Sequence, residues 1–383
     1  MIDMNHLRIG LMCLFSMICL AGCNGPSATV SRVDVFTSGT DGYHTFRIPS
    51  IVVAPSGDLV AVCEGRRNGR GDSGEIDLVM RRSEDGGITW SELEVIQSDA
   101  GNTCGNPTMV VDEMTGIMHL LSTHNLGHDD ESGIINQTSD GDRTVWASFS
   151  QDDGQTWSEA RDITSDVKLP NWTWYATGPG NGIHMQGGDT PGRLIIPCDH
   201  IEADTKHYYS HVIYSDDQGQ SWQLGGSSPK HQVNECEVVE CDDGRLLLNM
   251  RNYDRTKRTR QVCVSHDGGE TWTDQRHDDV LIEPICQASI RRIPKSPGLI
   301  VFSNPASRDD RVMMTLRGST DDGATWPYRR VLHDGPSAYS CLVALPNGDI
   351  GCFFEADGYN RLEFARCSVE WLKQKPSKTG SAQ

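Results

Sequence analysis

The sequence predicts an all-β fold, a six-bladed β-propeller made of small antiparallel sheets. A box of the form S-x-D-x-G-x-[ST]-W occurs five times, with start-to-start spacings of 67, 65, 50 and 54 residues. Strand-like runs precede the boxes, and 39 Gly and 17 Pro residues supply many turns. Several short strands per repeat of this length are typical of propeller blades. The boxes are SEDGGITW from Ser83, SQDDGQTW from Ser150, SDDQGQSW from Ser215, SHDGGETW from Ser265 and STDDGATW from Ser319.

Each box is expected to form a tight hairpin turn. Its Asp side chain accepts backbone N–H bonds within the turn, and its Gly adopts a backbone conformation that other residues resist. The Trp then packs under the turn and holds it against its sheet. Strand-like runs such as 76–80 and 261–264 lead into a box, so each box joins two strands. The box residues are therefore structural rather than catalytic.

The composition suits a folded soluble protein, with 37% hydrophobic and 23% charged residues. The formal net charge of −19 argues against a nucleic-acid partner, because a phosphate backbone requires a basic face. A small anionic ligand would instead need a local cluster of arginines. Ten cysteines from Cys63 to Cys367 show no zinc spacing and lie mostly in apolar runs, which predicts buried free thiols. His124 and His128 are expected in a solvated loop, and no metal is expected.

Residues 1–23 are interpreted as a targeting segment. A short stretch with Arg8 precedes the apolar run 9–20, which is too short to span a bilayer comfortably. Leu20-Ala21-Gly22-Cys23 resembles the bacterial lipobox, which would make Cys23 a lipidation site and the mature N-terminus. The alternative is an ordinary signal peptide with a chance Cys. Either reading predicts export, and lipidation would anchor the protein at the periplasmic or outer surface of a bacterial membrane.

The boxes resemble the Asp-boxes of sialidases and related propellers, in which they lie at the outer rim. Five boxes with uneven spacing fit six blades if one blade lacks a box. We expect both termini to close the ring, with the strand-like run 361–366 completing the last blade. The expected organisation after the leader is a linker at 24–33, a catalytic propeller at 34–371 and a polar tail at 372–383.

Two motifs near the first box also resemble the sialidase family. Phe46-Arg47-Ile48-Pro49 stands directly before a strand and matches the family's Arg-Ile-Pro motif. The segment Glu64-Gly65-Arg66 and the Gly-rich loop to Asp72 match the family's E-G-R segment and the Asp that follows it. The resemblance implies that Arg47 and Arg66 bind substrate and that Asp72 is a catalytic acid/base. Residues close by leave alternatives open, namely Arg67 and Arg70 for the arginine and Asp77 for the aspartate.

Two further arginines complete a triad in the resemblance. The stretch 234–251 resembles the family pattern N-E-x-x-V-x-E … G-R-L-L-L-N-x-R, with Glu235 placed 16 residues before Arg251. An Arg that ends an apolar strand is costly unless it faces a ligand or a carboxylate. Arg311 matches the third arginine, ahead of the strand that leads into the last box. Competitors for this third position are Arg308 and Arg317.

Tyr339 and Glu355 fill the last family positions, in Ser337-Ala338-Tyr339-Ser340 and Gly351-Cys352-Phe353-Phe354-Glu355. The resemblance implies that Tyr339 is the nucleophile, that Glu235 accepts its proton and that Glu355 holds Arg47. A sialic acid carries a carboxylate on its anomeric carbon, so a neutral Tyr avoids the repulsion that an attacking Asp or Glu would meet. Sialidases with a Tyr nucleophile are a known exception to the two-carboxylate rule of glycosidases.

The resemblance covers about residues 34–371 and implies a retaining exo-α-sialidase that acts on sialylated glycans. No cofactor is implied, and we expect a monomer. A non-catalytic glycan-binding propeller is the first alternative, but it predicts loss of Tyr339, Glu235 or Asp72, and all three residue types are present. A trans-sialidase is the second alternative, and it would use the same residues.

Overall fold

The computed structural model describes residues 29–374, so the predicted leader with Cys23 and the tail from residue 375 lie outside the described residues. After β1 (Val30–Thr37), the first four-stranded antiparallel group contains β2 (Thr45–Val53), β3 (Leu59–Arg66), β4 (Ile76–Ser83) and β5 (Glu94–Gln97). The second group contains β6 (Thr103–Val111), β7 (Met118–Asn125), α1 (Glu131–Asn136), β8 (Thr144–Ser150) and β9 (Arg161–Asp162).

The third group follows α2 (Thr164–Val167) and contains β10 (Trp172–Thr177), β12 (Ile183–His184), β13 (Leu194–Glu202), β14 (Tyr208–Ser215) and β15 (Gln223–Ser227). The very short β11 (Gly180–Asn181) lies between β10 and β12 in the chain but pairs in parallel with β6 of the second group. The fourth group contains β16 (Val233–Glu240), β17 (Leu246–Asn252), β18 (Thr259–Ser265) and β19 (Thr273–Ile282).

The last two groups share one long strand. The fifth contains β20 (Ser289–Arg292), β21 (Ile300–Pro305), β22 (Val312–Ser319) and the first part of β23 (Tyr328–Ala344). The sixth contains the second part of β23, then β24 (Ile350–Ala356), β25 (Arg361–Cys367) and, from the other end of the chain, β1. A last short helix, α3 (Val369–Lys373), follows.

The groups surround one axis. The first strands of successive groups lie beside one another: β2 contacts β6 and β23, and β20 contacts β16 and β23. The second and third groups complete the circle, because β6 contacts β13 and β13 contacts β16. This is the closed arrangement of a propeller.

The ring is closed by pairing the two ends of the domain, as expected from the sequence. β1 runs antiparallel to β25 in a register that joins Val30 to Cys367 and Thr37 to Arg361. β1 therefore begins inside the segment that the sequence assigned to a linker at 24–33. It begins there because the sixth sheet needs a fourth strand, and Val33 lies opposite Phe364. At the other end α3 reaches Lys373, two residues beyond the expected boundary.

The core consists of apolar clusters between neighbouring sheets. The Trp of each box packs into the cluster between its own sheet and the preceding one, so the boxes fasten the sheets to each other as well as closing hairpins. Between the fifth and sixth sheets Trp371 of α3 occupies the corresponding cluster. The helix thus supplies a Trp for the sheet that lacks a box, which the sequence had not indicated.

The box turns have the predicted hydrogen bonds. In the fourth box Asp267 accepts the backbone N–H of Thr271 at 2.9 Å and its hydroxyl at 2.5 Å. Ser265 donates its hydroxyl to Asp267 and accepts the N–H of Gly269, whose φ is 91°. The four other boxes repeat this pattern. The ten cysteines are all buried and unpaired, as expected.

Polar contacts surround β11 at the centre of the ring, where it lies beside β2, β6 and β23. Ser50 donates to the carbonyl of Gly180 at 2.7 Å, and Asn181 donates to the carbonyl of Ile51 at 2.6 Å. Glu237 is buried here, where its carboxylate accepts from Ser289 Oγ at 2.7 Å and from two backbone N–H groups. Burial raises the pKa of Glu237 to about 7, although these hydrogen bonds oppose the shift.

No helix among residues 29–374 is long and apolar enough to cross a membrane.

Candidate active site

A polar cavity of about 150 Å³ opens at one end of the axis. All six sheets or the loops beside them contribute to its wall, so only the closed ring can form it. The lining residues are Arg47, Ile48, Glu64, Arg66, Asp72, Asn106, Glu131, Arg143, Trp174, Ala176, Asp199, Asn234, Glu235, Arg251, Tyr253, Arg311 and Tyr339. Every predicted site residue within the propeller lies in this set except Glu355, which stands directly behind Arg47.

Register shifts in the innermost strands direct side chains into the cavity. Such a shift lies between Arg47 and Ser50 in β2, where Ile48 has a φ of 62°. Similar shifts occur beside Asn106 in β6, Trp174 in β10, Glu235 in β16 and Tyr339 in β23. A bulge bends its strand and re-aims the side chain that it carries. The same device therefore presents catalytic candidates from different sheets at one place.

Arg47 is held by a buried carboxylate. Its Nε donates to Glu355 Oε1 at 2.9 Å and its Nη2 donates to Glu355 Oε2 at 3.2 Å, which is a two-pronged ion pair. Glu355 also accepts the backbone N–H groups of Ile48 and Tyr339, both at 3.0 Å. Burial alone would lower the pKa of Arg47, but the Glu355 carboxylate keeps it well above its usual value. Glu355 thus fixes the first arginine and the backbone of Tyr339 together.

Tyr339 and Glu235 form the centre of the cavity. The hydroxyl of Tyr339 donates to Glu235 Oε1 at 2.6 Å, and Arg251 Nη1 donates to the Tyr339 oxygen at 2.9 Å and to Glu235 Oε2 at 2.6 Å. Burial and the adjacent Glu235 raise the pKa of Tyr339 well above its usual value, although three arginines oppose the shift. The phenol is therefore neutral beside a base that can take its proton.

Arg311 completes the group of arginines. Its guanidinium lies 5.6 Å from the centre of the Tyr339 ring and donates to the hydroxyl of Tyr359 at 3.1 Å. No carboxylate within the described residues forms a salt bridge with Arg311. Its two competitors lie elsewhere: Arg317 donates to Asn304, and Arg308 does not line the cavity. The sequence did not single out Tyr359, but the guanidinium carbon of Arg47 also lies over its ring, 4.4 Å from the ring centre.

Asp72 lies on the loop after β3 at the mouth of the cavity, with a side chain that is 67% exposed. Its Oδ1 is 2.7 Å from Arg66 and 3.5 Å from Arg47. The partial loss of solvent around its carboxylate at the cavity mouth would raise the pKa of Asp72, but the charges of Arg66 and Arg47 outweigh this and place the pKa below its usual value.

Two of the alternatives for these positions, Asp77 and Arg67, point away from the cavity. The third, Arg70, does not line the cavity, although its guanidinium lies 5.9 Å from the centre of the Tyr359 ring. Asp77 is buried against Arg67 at 2.7 Å and accepts the hydroxyl of Tyr43 at the same distance, so neither Asp77 nor Arg67 reaches the site. Arg66 is fully buried, and Glu64 holds it through two hydrogen bonds. The structure thus brings Arg66 and Asp72 together at the cavity.

Several cavity residues escaped the sequence reasoning. Arg143 is buried without a carboxylate in hydrogen-bond contact and donates to Asn106, Asn125 and the carbonyl of Tyr175; burial lowers its pKa to about 10. Asp199 is buried and accepts the side-chain amide of Asn234 at 2.7 Å, and burial raises its pKa well above the usual value. Nothing in the sequence marks these residues, because each lies in an ordinary strand context.

The histidine-rich loop lies outside the cavity lining. His124 lies within β7 and not in the solvated loop that was expected, because its backbone pairs with the neighbouring strands, and its ring contacts Asp99 at 2.8 Å. His128 lies in the loop after β7 and contacts Asp140 at 3.0 Å. His128, Asp129 and Asp140 each have an atom that could ligate a metal, and these atoms lie within 4.8 Å of one another. The carboxylate of Asp129, however, already accepts the backbone N–H groups of Asp140 and Gly141. These contacts describe a surface loop held by hydrogen bonds.

The fold and the cavity define an Asp-box β-propeller with an arginine-rich cavity around a Tyr–Glu pair on its axis. A family model described as BNR repeat-like domain matches residues 57–352. A sialidase of Micromonospora viridifaciens is 35% identical over 365 residues, which cover 91% of this chain. An exo-alpha-sialidase of Aspergillus fumigatus is 30% identical over 390 residues, which cover 92% of this chain and 90% of the fungal protein. The chain belongs to the sialidase family.

The solved structure of the Hadza microbial sialidase Hz136 superposes with a TM-score of 0.81 at 30% identity, covering 89% of this chain and 69% of that one. The predicted all-β propeller is therefore confirmed. The chain spans 55% of the length of the Micromonospora sialidase.

Proposed function

We propose that the protein is an exo-α-sialidase that removes terminal α-linked sialic acids from glycans with retention of configuration. The observation that carries the proposal is the contact of Tyr339 with Glu235 inside a group of three buried or half-buried arginines. The relatives of this protein that are named sialidase or exo-alpha-sialidase support the same reaction.

The arginines bind the substrate carboxylate in this proposal. Arg47, Arg251 and Arg311 all lie near the Tyr339 ring or hydroxyl, so a carboxylate between them would sit beside the nucleophile. Planar guanidinium groups bind carboxylates through paired, charge-assisted hydrogen bonds. Glu355 already accepts hydrogen bonds from Nε and Nη2 of Arg47. The remaining nitrogen, Nη1, lies on the cavity side, 3.5 Å from Asp72 Oδ1.

Tyr339 acts as the nucleophile. Glu235 accepts the phenolic proton as the oxygen attacks the anomeric carbon, and the bond to the leaving sugar breaks. Arg251 donates to both oxygens and stabilises the negative charge that passes between them. A second displacement by water then releases sialic acid, and two inversions give retention.

Asp72 protonates the leaving oxygen and later activates water. Its low pKa in the pairing with Arg66 and Arg47 is unfavourable for an acid. The substrate carboxylate would offset the charge of Arg47 and would raise the pKa of Asp72 toward the value that an acid needs. We therefore expect substrate binding itself to prepare Asp72 for its first step.

The test uses the purified protein, a fluorogenic α-sialoside and two variants. Tyr339→Phe should lower kcat by about 10³-fold or more, since it removes the nucleophilic oxygen. Tyr328→Phe, which lies on the outer part of β23, serves as the matched control and should keep full activity. Absence of release by the unmodified protein would overturn the proposal. NMR of the first product tests the stereochemistry, and retention requires that the α-anomer appears first.

Export is proposed on the leader alone. We expect Cys23 to carry the lipid, and Cys23→Ser should abolish incorporation of labelled fatty acid in cells. Unchanged labelling of the Cys23→Ser variant would contradict this assignment.

A further inference from the structure

A second depression adjoins the cavity on the side of Asp72. This groove has a volume of about 610 Å³, and it shares Asp72, Glu131 and Tyr253 with the cavity wall. The groove is therefore continuous with the place where the bond to the leaving group would break. A leaving group that Asp72 protonates has room to extend in this direction, since the cavity itself measures only about 150 Å³.

Two stacked aromatic rings form one wall of the groove. Tyr208 at the start of β14 and Tyr253 just after β17 lie with ring centres 5.1 Å apart and planes 17° apart. Ile135 of α1 packs against the same small apolar cluster as Tyr208. Both tyrosines are only partly buried, so part of this aromatic and aliphatic surface faces the groove.

The rest of the lining is polar and acidic. Asp72, Asp130 and Glu131 are exposed along the groove, and no Arg or Lys is among its lining residues within the described chain. An apolar ring surface beside hydrogen-bonding groups suits a pyranose, whose C–H faces stack while its hydroxyls bond at the edge. Asp72 is paired with Arg66, but Asp130 and Glu131 form no salt bridge within the described residues, so these two carboxylates disfavour a second carboxylate at the same place, in contrast to the arginine-rich cavity.

We propose that the groove of Tyr208, Tyr253 and Ile135 binds the sugar next to the sialic acid, and that it selects a neutral hexose over a second sialic acid. The inference rests on the proposed sialidase function and names the part of the substrate beyond the cleaved bond. Asp72 stands at the junction of cavity and groove, as the group that protonates the oxygen between the two sugars must.

The experiment compares three substrates: methyl α-sialoside, sialyllactose and an α2-8-linked sialic acid dimer. Methyl sialoside has no second sugar and reports on the cavity alone. Tyr208→Ala should lower kcat/KM for sialyllactose about tenfold, since one stacking contact is lost, and leave methyl sialoside unchanged. Tyr208→Phe keeps the ring and should resemble the unmodified protein. Equal losses on both substrates, or no loss on either, would overturn the inference.

Tyr209 offers a matched control on the same strand. It stacks on His200 with ring centres 5.5 Å apart and does not line the groove. Tyr209→Ala should leave the ratio of kcat/KM for sialyllactose to methyl sialoside unchanged. A fall in this ratio as large as that of Tyr208→Ala would show that the groove is not responsible.

The charge selection is tested separately. The unmodified protein should cleave the sialic acid dimer at least tenfold less efficiently than sialyllactose, and Glu131→Gln should narrow that gap. Equal cleavage of the dimer and sialyllactose would overturn the selection for a neutral sugar. If the unmodified protein cleaves no sialoside, including the methyl glycoside, the proposed function itself fails, and that result differs from a changed ratio between substrates.

Discussion

Glu237 offers a quantitative test of the packing on the propeller axis. Replacing it with Gln removes a buried titratable group and keeps its shape. The pKa of Glu237 lies at about 7 instead of 4.5, which corresponds to about 3 kcal/mol of free energy between the two protonation states. The folded protein binds this proton more tightly than the unfolded chain does. Its contribution to stability is therefore complete below pH 4.5 and is lost as the pH rises to about 7.

The measurement is the free energy of unfolding in urea between pH 4 and pH 8, for the unmodified protein and for Glu237→Gln. The free energy of unfolding of the unmodified protein minus that of Glu237→Gln should fall by about 3 kcal/mol between pH 4.5 and about 7. Above that pH the difference should stay constant. Other acids titrate equally in both proteins and cancel in the difference. The Gln side chain changes the hydrogen bond with the N–H of Asn181, but that effect is independent of pH.

Glu84→Gln is the control, because Glu84 is an exposed residue in a box turn. Its difference from the unmodified protein should not follow the course of Glu237→Gln. A flat difference between pH 4 and pH 8 for Glu237→Gln would refute the argument, since it would mean that burial does not hold the proton on this carboxyl.

Three other substitutions test separate parts of the molecule. Glu355→Gln should lower the free energy of unfolding by about 3 kcal/mol and raise KM, because Arg47 loses the one buried counter-charge that it has among residues 29–374; unchanged urea unfolding would contradict this. Trp371→Ala should cost about 3 kcal/mol or more in thermal unfolding, with unchanged KM, because it opens a cavity between the fifth and sixth sheets. Asp267→Ala should cost about 1–2 kcal/mol and leave kcat unchanged, since no residue of this box lines the cavity; a fall in kcat at full folding would contradict the structural role.

The sequence was sufficient for those features that depend on local chemistry. The box turns follow from Asp, Gly and Trp at fixed offsets, and the hydrogen bonds of Asp267 agree with that expectation. The catalytic candidates were found through motifs, and the structure brings Arg47, Arg251 and Tyr339 to one cavity although they are far apart in sequence.

Other features depend on contacts between distant segments, which leave no local pattern. Arg143 and Asp199 have ordinary strand surroundings in the sequence, and only the closed ring turns them toward the cavity. The register shift beside Tyr339 has no mark in the sequence, because a bulge depends on the partner strand as much as on its own residues. Trp371 was overlooked because its role exists only between two complete sheets.

The pairing of β1 with β25 also orders events during synthesis. β1 is the first of the described strands to leave the ribosome, and its partner ends at Cys367, about 330 residues later. The sixth sheet and α3 cannot form before nearly the whole chain has been made, and the cavity needs every sheet. Nascent chains that stop before β25 therefore carry no closed ring, and a message broken before the codons of β25 yields an open ring with exposed sheet edges rather than a complete but weakened site.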